Sequence, residues 1–394
     1  MSFFSFKKNT DLSLVFDIRD TFISVAATRF ENDKKPEIVY IQRFSLDVED
    51  TKDTKKYFNS LVKIIDKSIV SVRKSLSKIG NKDTIKKYHF FLSSPWSISQ
   101  SKLIKFIKDK KFTIDNSFLQ KIILGESNKI EKDIEYIKSG ADWFLFEEKI
   151  IRSKLNGYQV EKIYQRKAQD VEVDIFVSFL SQELLLKLKT VVDVKRMKMD
   201  INSSILSSFT FLRDLYNDKN NFIYIDISSN ITDFYVVRDD VVFGIISFPF
   251  GEKDIIKNIS KKFKSSEDVV YSLISMKCHG KCDKSTKDKI DEYVEYGLQE
   301  WTEKFDSTIT QICSESNIPK NIFVVSDSDF DKIVYNKIKK DFNISILKKF
   351  GIDTTVELIE ESVVDGYLFN GNFFKNEPYV KMDVVFLNKN LNKK

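Results

Sequence analysis

Glycine, proline, cysteine and histidine are all scarce in this chain of 394 residues: 11 Gly, 5 Pro, 3 Cys and 2 His. Each shortage excludes something. Three cysteines, Cys278, Cys282 and Cys313, cannot staple a chain of this length, which points to a reducing compartment, the cytoplasm. Two histidines and no Gly-x-Ser-x-Gly turn leave hydrolase triads without support. No run approaches the roughly 20 apolar residues that cross a bilayer. Met1 to Lys8 holds Phe3, Phe4 and Phe6 but no apolar stretch of signal-peptide length. An excess of one charge is lacking too. The 64 Lys and Arg are interspersed with 58 Asp and Glu for a net of +6, so a solvated mixed-charge surface is expected and no nucleic-acid groove.

What is present suits a globular protein. Hydrophobic residues make up 42% and charged residues 31%, which does not match a disordered chain. The length exceeds one ordinary core, so two domains or a lobed pair are expected. Residues 12–48 read as three strands, with Ile23, Val25 and Ala27 alternating against Ser24, Ala26 and Thr28 in the second. Phe58, Leu61, Val62, Ile65, Ile69, Val72, Leu76 and Ile79 recur every three or four positions and predict a helix from Thr54 to Ile79. A strand from Tyr88 to Leu92 follows. Residues 97–199 differ: polar helices, strands at Gln159 to Gln165 and Val171 to Phe179, then a helix from Ser181 to about Val191. The β-β-β-α order restarts at Asn221, with strands at 222–227, 232–238 and 241–248 and a tight turn at Arg238-Asp239-Asp240. Ile290, Val294, Leu298, Trp301, Phe305, Ile309 and Ile312 mark a long helix whose stripe is core. A strand from Ile322 to Val325 meets Ser326-Asp327-Ser328-Asp329, and a last strand is expected over Tyr379 to Leu387.

The most informative feature is a repeat. Leu14-Val15-Phe16-Asp17-Ile18 leads through Arg19, Asp20 and Thr21 into a second strand. Ile223-Tyr224-Ile225-Asp226-Ile227 leads through Ser228, Ser229 and Asn230 into another. Two copies of one β-β-β-α unit, with a piece inserted in the first, resemble the bacterial actin-like FtsA/PilM family. Lys154 to Phe179 looks like the hairpin of that family's SHS2 subdomain, and Phe222 to Gly251 like its second phosphate region. The resemblance implies an α/β fold: duplicated actin-like (ribonuclease H-like) domains with an inserted α+β SHS2 subdomain. Residues 1–96 would open the first domain, 97–199 form the insert, 200–220 a return helix, 221–378 the second domain, and 379–394 a C-terminal strand and polar tail.

The resemblance also implies a nucleotide site for ATP and Mg²⁺. Asp17, Arg19 and Thr21 stand at the first phosphate turn, Asp226, Ser228, Ser229, Thr232 and Asp233 at the second, and Ser326 at the adenosine loop. The family's glycines are missing from all three turns. Glycine lets backbone amides approach a polyphosphate, and an Asp at position 20 or 327 adds repulsion of about 1–4 kcal/mol at ~4 Å. Arg19 could clamp a phosphate, or pair with Asp20 or Asp233 and fill the nucleotide's space; the second is favoured. Hydrolysis is expected to be weak or absent. The implied role is a cytoplasmic scaffold at the inner face of the cell membrane, in division (FtsA-like) or type IV pilus assembly (PilM-like). Its partners would be a tubulin-like division protein or the cytoplasmic tail of an inner-membrane pilus or division protein, with self-association and only indirect membrane contact. The insert would supply the partner surface, its β-edge taking an extended peptide. The alternative is an active ATPase or small-molecule kinase of the actin-like/sugar-kinase superfamily. Cys278-His279-Gly280-Lys281-Cys282 offers three ligands where structural zinc needs four, and is read as an ordinary loop. Lys105 to Lys111 and Lys337 to Lys340 are read as solvated helix faces, with anionic lipid as the weaker reading.

Overall fold

Two five-stranded sheets with the same strand order carry the chain, and a third sheet is inserted into the first half. The computed structural model describes residues 11–46, 54–133, 142–194, 196–315, 319–325, 328–342, 351–369, 374 and 376–392. Strands β1 (Asp11–Ile18), β2 (Phe22–Arg29) and β3 (Glu37–Ser45) pair antiparallel in turn. Helix α1 (Thr54–Lys78) crosses back, and β4 (Thr84–Leu92) joins β1 in parallel. Leu61, Ile65, Ile69, Val72 and Leu76 of α1 are buried against this sheet, as their spacing predicts.

The chain then builds a separate antiparallel sheet from β5 (Ser97–Ile114), β6 (Trp143–Leu155), β7 (Tyr158–Gln159) and β8 (Arg166–Ser181), in the order β5-β8-β6-β7. Helix α2 (Asn116–Asp133) lies on one face, where Leu119, Ile123 and Ile130 meet Ile104, Val171 and Val173. This corrects the expectation of polar helices from residue 97. Ser97–Ile114 is one long strand, and a bulge after Ile107 breaks its two-residue period. The strand expected at Gln159 to Gln165 shrinks to Tyr158–Gln159, and β6 takes its place beside β8. The run Lys105 to Lys111 is therefore strand and bulge, not a helix face.

Helix α3 (Gln182–Val194) returns to the first domain, where Leu184, Leu185 and Leu188 join its core instead of the insert's. β9 (Lys198–Ser203) extends the first sheet beside β4, giving β3-β2-β1-β4-β9, and leads into α4 (Ser204–Leu215). Ser203 caps α4 through a side-chain bond to Leu206 N. Glu147 of β6 reaches the same place: its Oε2 accepts from Ser203 Oγ at 2.5 Å and Ser178 Oγ at 3.3 Å. Burial pushes Glu147 up to about 7, against the bonds from Ser203.

The second half repeats the first. β10 (Phe222–Ile227), β11 (Thr232–Arg238) and β12 (Val241–Phe248) are antiparallel, while β13 (Asn321–Val325) and β14 (Thr355–Ile359) follow in parallel, in the order β12-β11-β10-β13-β14. Asp239 and Asp240 both take positive φ, 47° and 63°, which a two-residue hairpin of this hand requires. Helices α5 (Glu252–Phe263), α6 (Glu267–Cys278), α7 (Lys284–Glu315) and α8 (Asp329–Lys337) cover the sheet. The stripe from Ile290 to Ile309, with Trp301 at its centre, is core. After a short helix α9 (Glu361–Asp365), the chain ends in α10 (Pro378–Asn392).

Helix α10 corrects the strand expected over Tyr379 to Leu387. It lies between the two domains, with Val380, Met382, Val384, Phe386 and Leu387 packed on Val15, Phe91, Tyr224 and Phe323. A helix buried on all sides has no polar stripe, so its run of apolar residues mimics a strand. Lys381 is wholly buried within it and pairs with Glu361 at 2.8 Å and Asp365 at 2.6 Å.

Candidate functional site

The β1–β2 and β10–β11 turns face each other across the two domains. The first turn is held from behind: Trp96 Nε1 donates to Arg19 O at 2.8 Å, Tyr57 OH donates to Asp20 O at 2.8 Å, and the two rings stack at 4.2 Å. From this platform three side chains cross the gap. Arg19 Nη1 donates to both oxygens of Asp226, at 2.9 and 3.1 Å, while its Nε donates to Asp17 Oδ2 at 3.2 Å. Asp20 Oδ2 accepts from Asn230 N at 2.8 Å and Asn230 Nδ2 at 2.9 Å. Thr21 Oγ1 and Ser229 Oγ share a bond of 2.8 Å.

Helix α10 closes this arrangement. The Tyr379 ring lies 3.3 Å from Arg19 Cζ, and its hydroxyl donates to Asp226 Oδ1 at 3.2 Å. Glu377, just before the helix, accepts from Arg43 Nε at 3.0 Å and Ser24 Oγ at 2.5 Å. Arg19 pairs with Asp17 and Asp226, which corrects the expected partners Asp20 and Asp233. Burial opposes its charge, and Asp226 and Asp17 overcome that, holding its pKa well above the ordinary value. Burial raises Asp17, against the pull of Arg19. Burial also pushes Asp383 of α10 well up, helped by the nearby charge of Asp17.

The second turn bonds to its own domain. The carbonyls of Ser228 and Ser229 accept from the first amides of α5, Glu252 N at 3.1 Å and Lys253 N at 2.8 Å. The fit is close enough that a Cβ on Gly251 would stand 2.2 Å from Ser228 O. Thr232 is buried, donating to Phe250 O at 2.8 Å and accepting from Trp301 Nε1 at 3.0 Å. Asp233 accepts from Ser247 Oγ, and burial raises it to about 6, with that bond opposing and Asp226 adding.

Asp17, Arg19, Asp226, Ser228, Thr232 and Asp233 are thus gathered in one buried region with Thr21 and Ser229 half-buried beside them, while Ser326 lies outside the described residues. Sequence reasoning missed Tyr379, which sat in a presumed strand, and the Arg43–Glu377 pair, which no motif announces. Cys278 ends α6, His279 caps it and Gly280 to Cys282 follow as a loop; His279 Nδ1 lies 2.9 Å from Ser275 O. Among the described residues no group of three or more His, Cys, Asp or Glu could hold a metal ion. No helix among them is long and apolar enough to cross a membrane.

Two sheets of one strand order, with an α+β insert in the first half, define an actin-like α/β fold built by duplication. Over 95% of its length the chain is similar to a solved structure described as the PilM-PilN type IV pilus biogenesis complex, at 12% identity, a TM-score of 0.62 and 98% coverage of that chain. It is more distantly similar to the ethanolamine utilization protein EutJ from Carboxydothermus hydrogenoformans, at 9% identity and a TM-score of 0.45, covering 96% of this chain and 89% of that one. A Bacteroides thetaiotaomicron protein with an actin-like ATPase fold and unknown function gives 9% identity and a TM-score of 0.42, covering 94% and 98%. No protein-family model and no curated protein matches the sequence.

Proposed function

We propose that this chain is an actin-like scaffold that recruits membrane-associated machinery, in a role like that of PilM in type IV pilus assembly, with its interdomain cleft occupied by its own side chains. One observation carries the reading: the Arg19 guanidinium sits between Asp17 and Asp226 under the Tyr379 ring. A metal-bound polyphosphate would need those carboxylates, and the guanidinium engages both. The amides at the start of α5, the donors that anions use at helix ends, are spent on Ser228 and Ser229. ATP and Mg²⁺ therefore do not fit the residues present.

The pilus role is preferred to division on one ground. The likeness that spans 95% of the chain is to a structure described as a complex of two pilus biogenesis proteins. The partner would be the cytoplasmic tail of an inner-membrane protein, which places the scaffold at the inner face of the membrane. Calorimetric titration with Mg-ATP should give no saturable heat in the micromolar range, and phosphate release should equal the protein-free rate. A micromolar dissociation constant, with turnover lost in Asp226→Ala, would overturn the reading in favour of an ATPase or small-molecule kinase.

A further inference from the structure

The far end of the inserted sheet carries a second feature, unrelated to the cleft. β5 is an edge strand, and its pairing with β8 jumps from Ile107 opposite Asp170 to Phe112 opposite Ala168. Lys108, Asp109, Lys110 and Lys111 bulge outward against Gln169 alone, and Gln169 Nε2 pins them by donating to Asp109 O at 2.8 Å. The β6–β7 turn lies alongside: Asn156 N donates to Asp170 O at 2.8 Å, and Asn156 Oδ1 accepts from Gln169 N at 3.0 Å. Arg166 and Lys167, opposite Ile114 and Thr113, complete this end.

Basic and apolar groups are mixed here. Lys108, Lys110, Lys111, Arg166 and Lys167 are exposed, with Asp109 and Asp170 the acidic residues of the same segments. Nearer the base, Lys102 and Lys105 are neutralised by Glu126 at 3.1 Å and Glu172 at 2.7 Å. Among the described residues Lys110, Lys111, Arg166 and Lys167 make no ion pair. Lys108 Nζ rests 4.3 Å from the Phe112 ring centroid, so its charge is placed but not cancelled. Exposed apolar groups stand at the same end: Ile107, 72% exposed, just before the bulge, Tyr164, 50%, just before β8, and Tyr158, 79%, on β7 at the opposite edge of the sheet. Asn156 and Gly157, at φ 49° and 83°, turn the hairpin that presents Tyr158.

We propose that this tip docks directly on an anionic lipid surface. Unpaired lysines and arginines attract acidic headgroups, and exposed tyrosine and isoleucine are side chains that settle at a membrane interface. The bulge interrupts the β5 edge, so an extended acidic peptide finds no continuous strand to pair with there, whereas outward-facing lysines suit a planar partner. The contact is independent of what fills the cleft, and adds to the indirect membrane contact expected from the sequence.

Cosedimentation of the full chain with phosphatidylcholine vesicles carrying about one-third phosphatidylserine tests this, since each lysine near such a surface is worth roughly fivefold in affinity. Binding is expected, with release by added salt. The variant Lys110→Glu/Lys111→Glu/Lys167→Glu should bind weaker by roughly a hundredfold or more, and Tyr158→Ser by less. Lys108 is left in place because it rests on the Phe rings, and an unchanged melting profile confirms that the variants fold. No binding to the anionic vesicles, equal binding to pure phosphatidylcholine, or wild-type binding by the triple variant would each overturn the proposal. Binding of polyglutamate without vesicle binding would overturn it too, and assign the tip to an acidic protein.

Discussion

The two halves of the molecule share one strand order and use their turns in opposite ways. The β1–β2 turn reaches out: Arg19, Asp20 and Thr21 each end on a residue of the other domain. The β10–β11 turn folds back: its Ser228 and Ser229 carbonyls cap α5, and Thr232 is locked by Trp301. One turn supplies the bridge and the other a rigid receiver. Duplication has kept the topology while the side chains divided the work. Ser229 and Asn230, standing where the resemblance expects glycine, are the residues that Thr21 and Asp20 grasp, so the altered turns read as interdomain contacts.

Removing the bridge should have the largest effect. Arg19→Ala leaves Asp17 and Asp226 buried without their common cation, and breaking such a buried pair from one side costs about 3–5 kcal/mol. Urea denaturation should register it, with Arg19→Lys intermediate because an ammonium lacks the planar fork that spans both carboxylates. A loss below about 1 kcal/mol, the size of an exposed pair, would mean that the two turns do not differ as described.

The receiving half has its own signature in pH. Asp233 rises from 3.8 to about 6, chiefly through burial. A carboxyl with a raised folded pKa holds its proton better folded than unfolded, so its stabilising contribution is complete below the unfolded value and is lost as pH climbs through the folded one. Between about pH 4 and 6 this residue should lower stability by up to about 3 kcal/mol. Asp233→Asn, which stays neutral, should flatten that part of the stability profile. An unchanged slope would show that the second turn admits more water than its packing implies.

How far the sequence was legible depended on how local each signal was. The Asp-Ile strand ends at 17 and 226 and the apolar stripes of α1 and α7 are local patterns, and they read correctly. β5 did not, because its bulge shifts the alternation midway and its lysines suggest a solvated helix. α10 failed for the opposite reason: burial on every side removes the stripe that marks a helix, and with it went Tyr379. The partners of Arg19 were misassigned because Asp17, Asp20, Asp226 and Asp233 all stand beside the same two turns. Only the approach of the domains decides which carboxylates meet the guanidinium.

Tyr379 isolates the smallest piece of the bridge. Its ring covers Arg19 and its hydroxyl donates to Asp226. Tyr379→Phe keeps the ring and gives up the hydroxyl's bond to Asp226, while Asp226 retains both bonds from Arg19, so the expected loss for that bond is about 0.5–1.5 kcal/mol. Tyr379→Leu also removes the aromatic face from a desolvated guanidinium, which adds about 1–2 kcal/mol. If the two variants cost the same, the hydroxyl alone matters, and α10 acts on the receiver through Asp226. If only the leucine variant is costly, the ring holds Arg19 in place, and α10 belongs with the turn that reaches across.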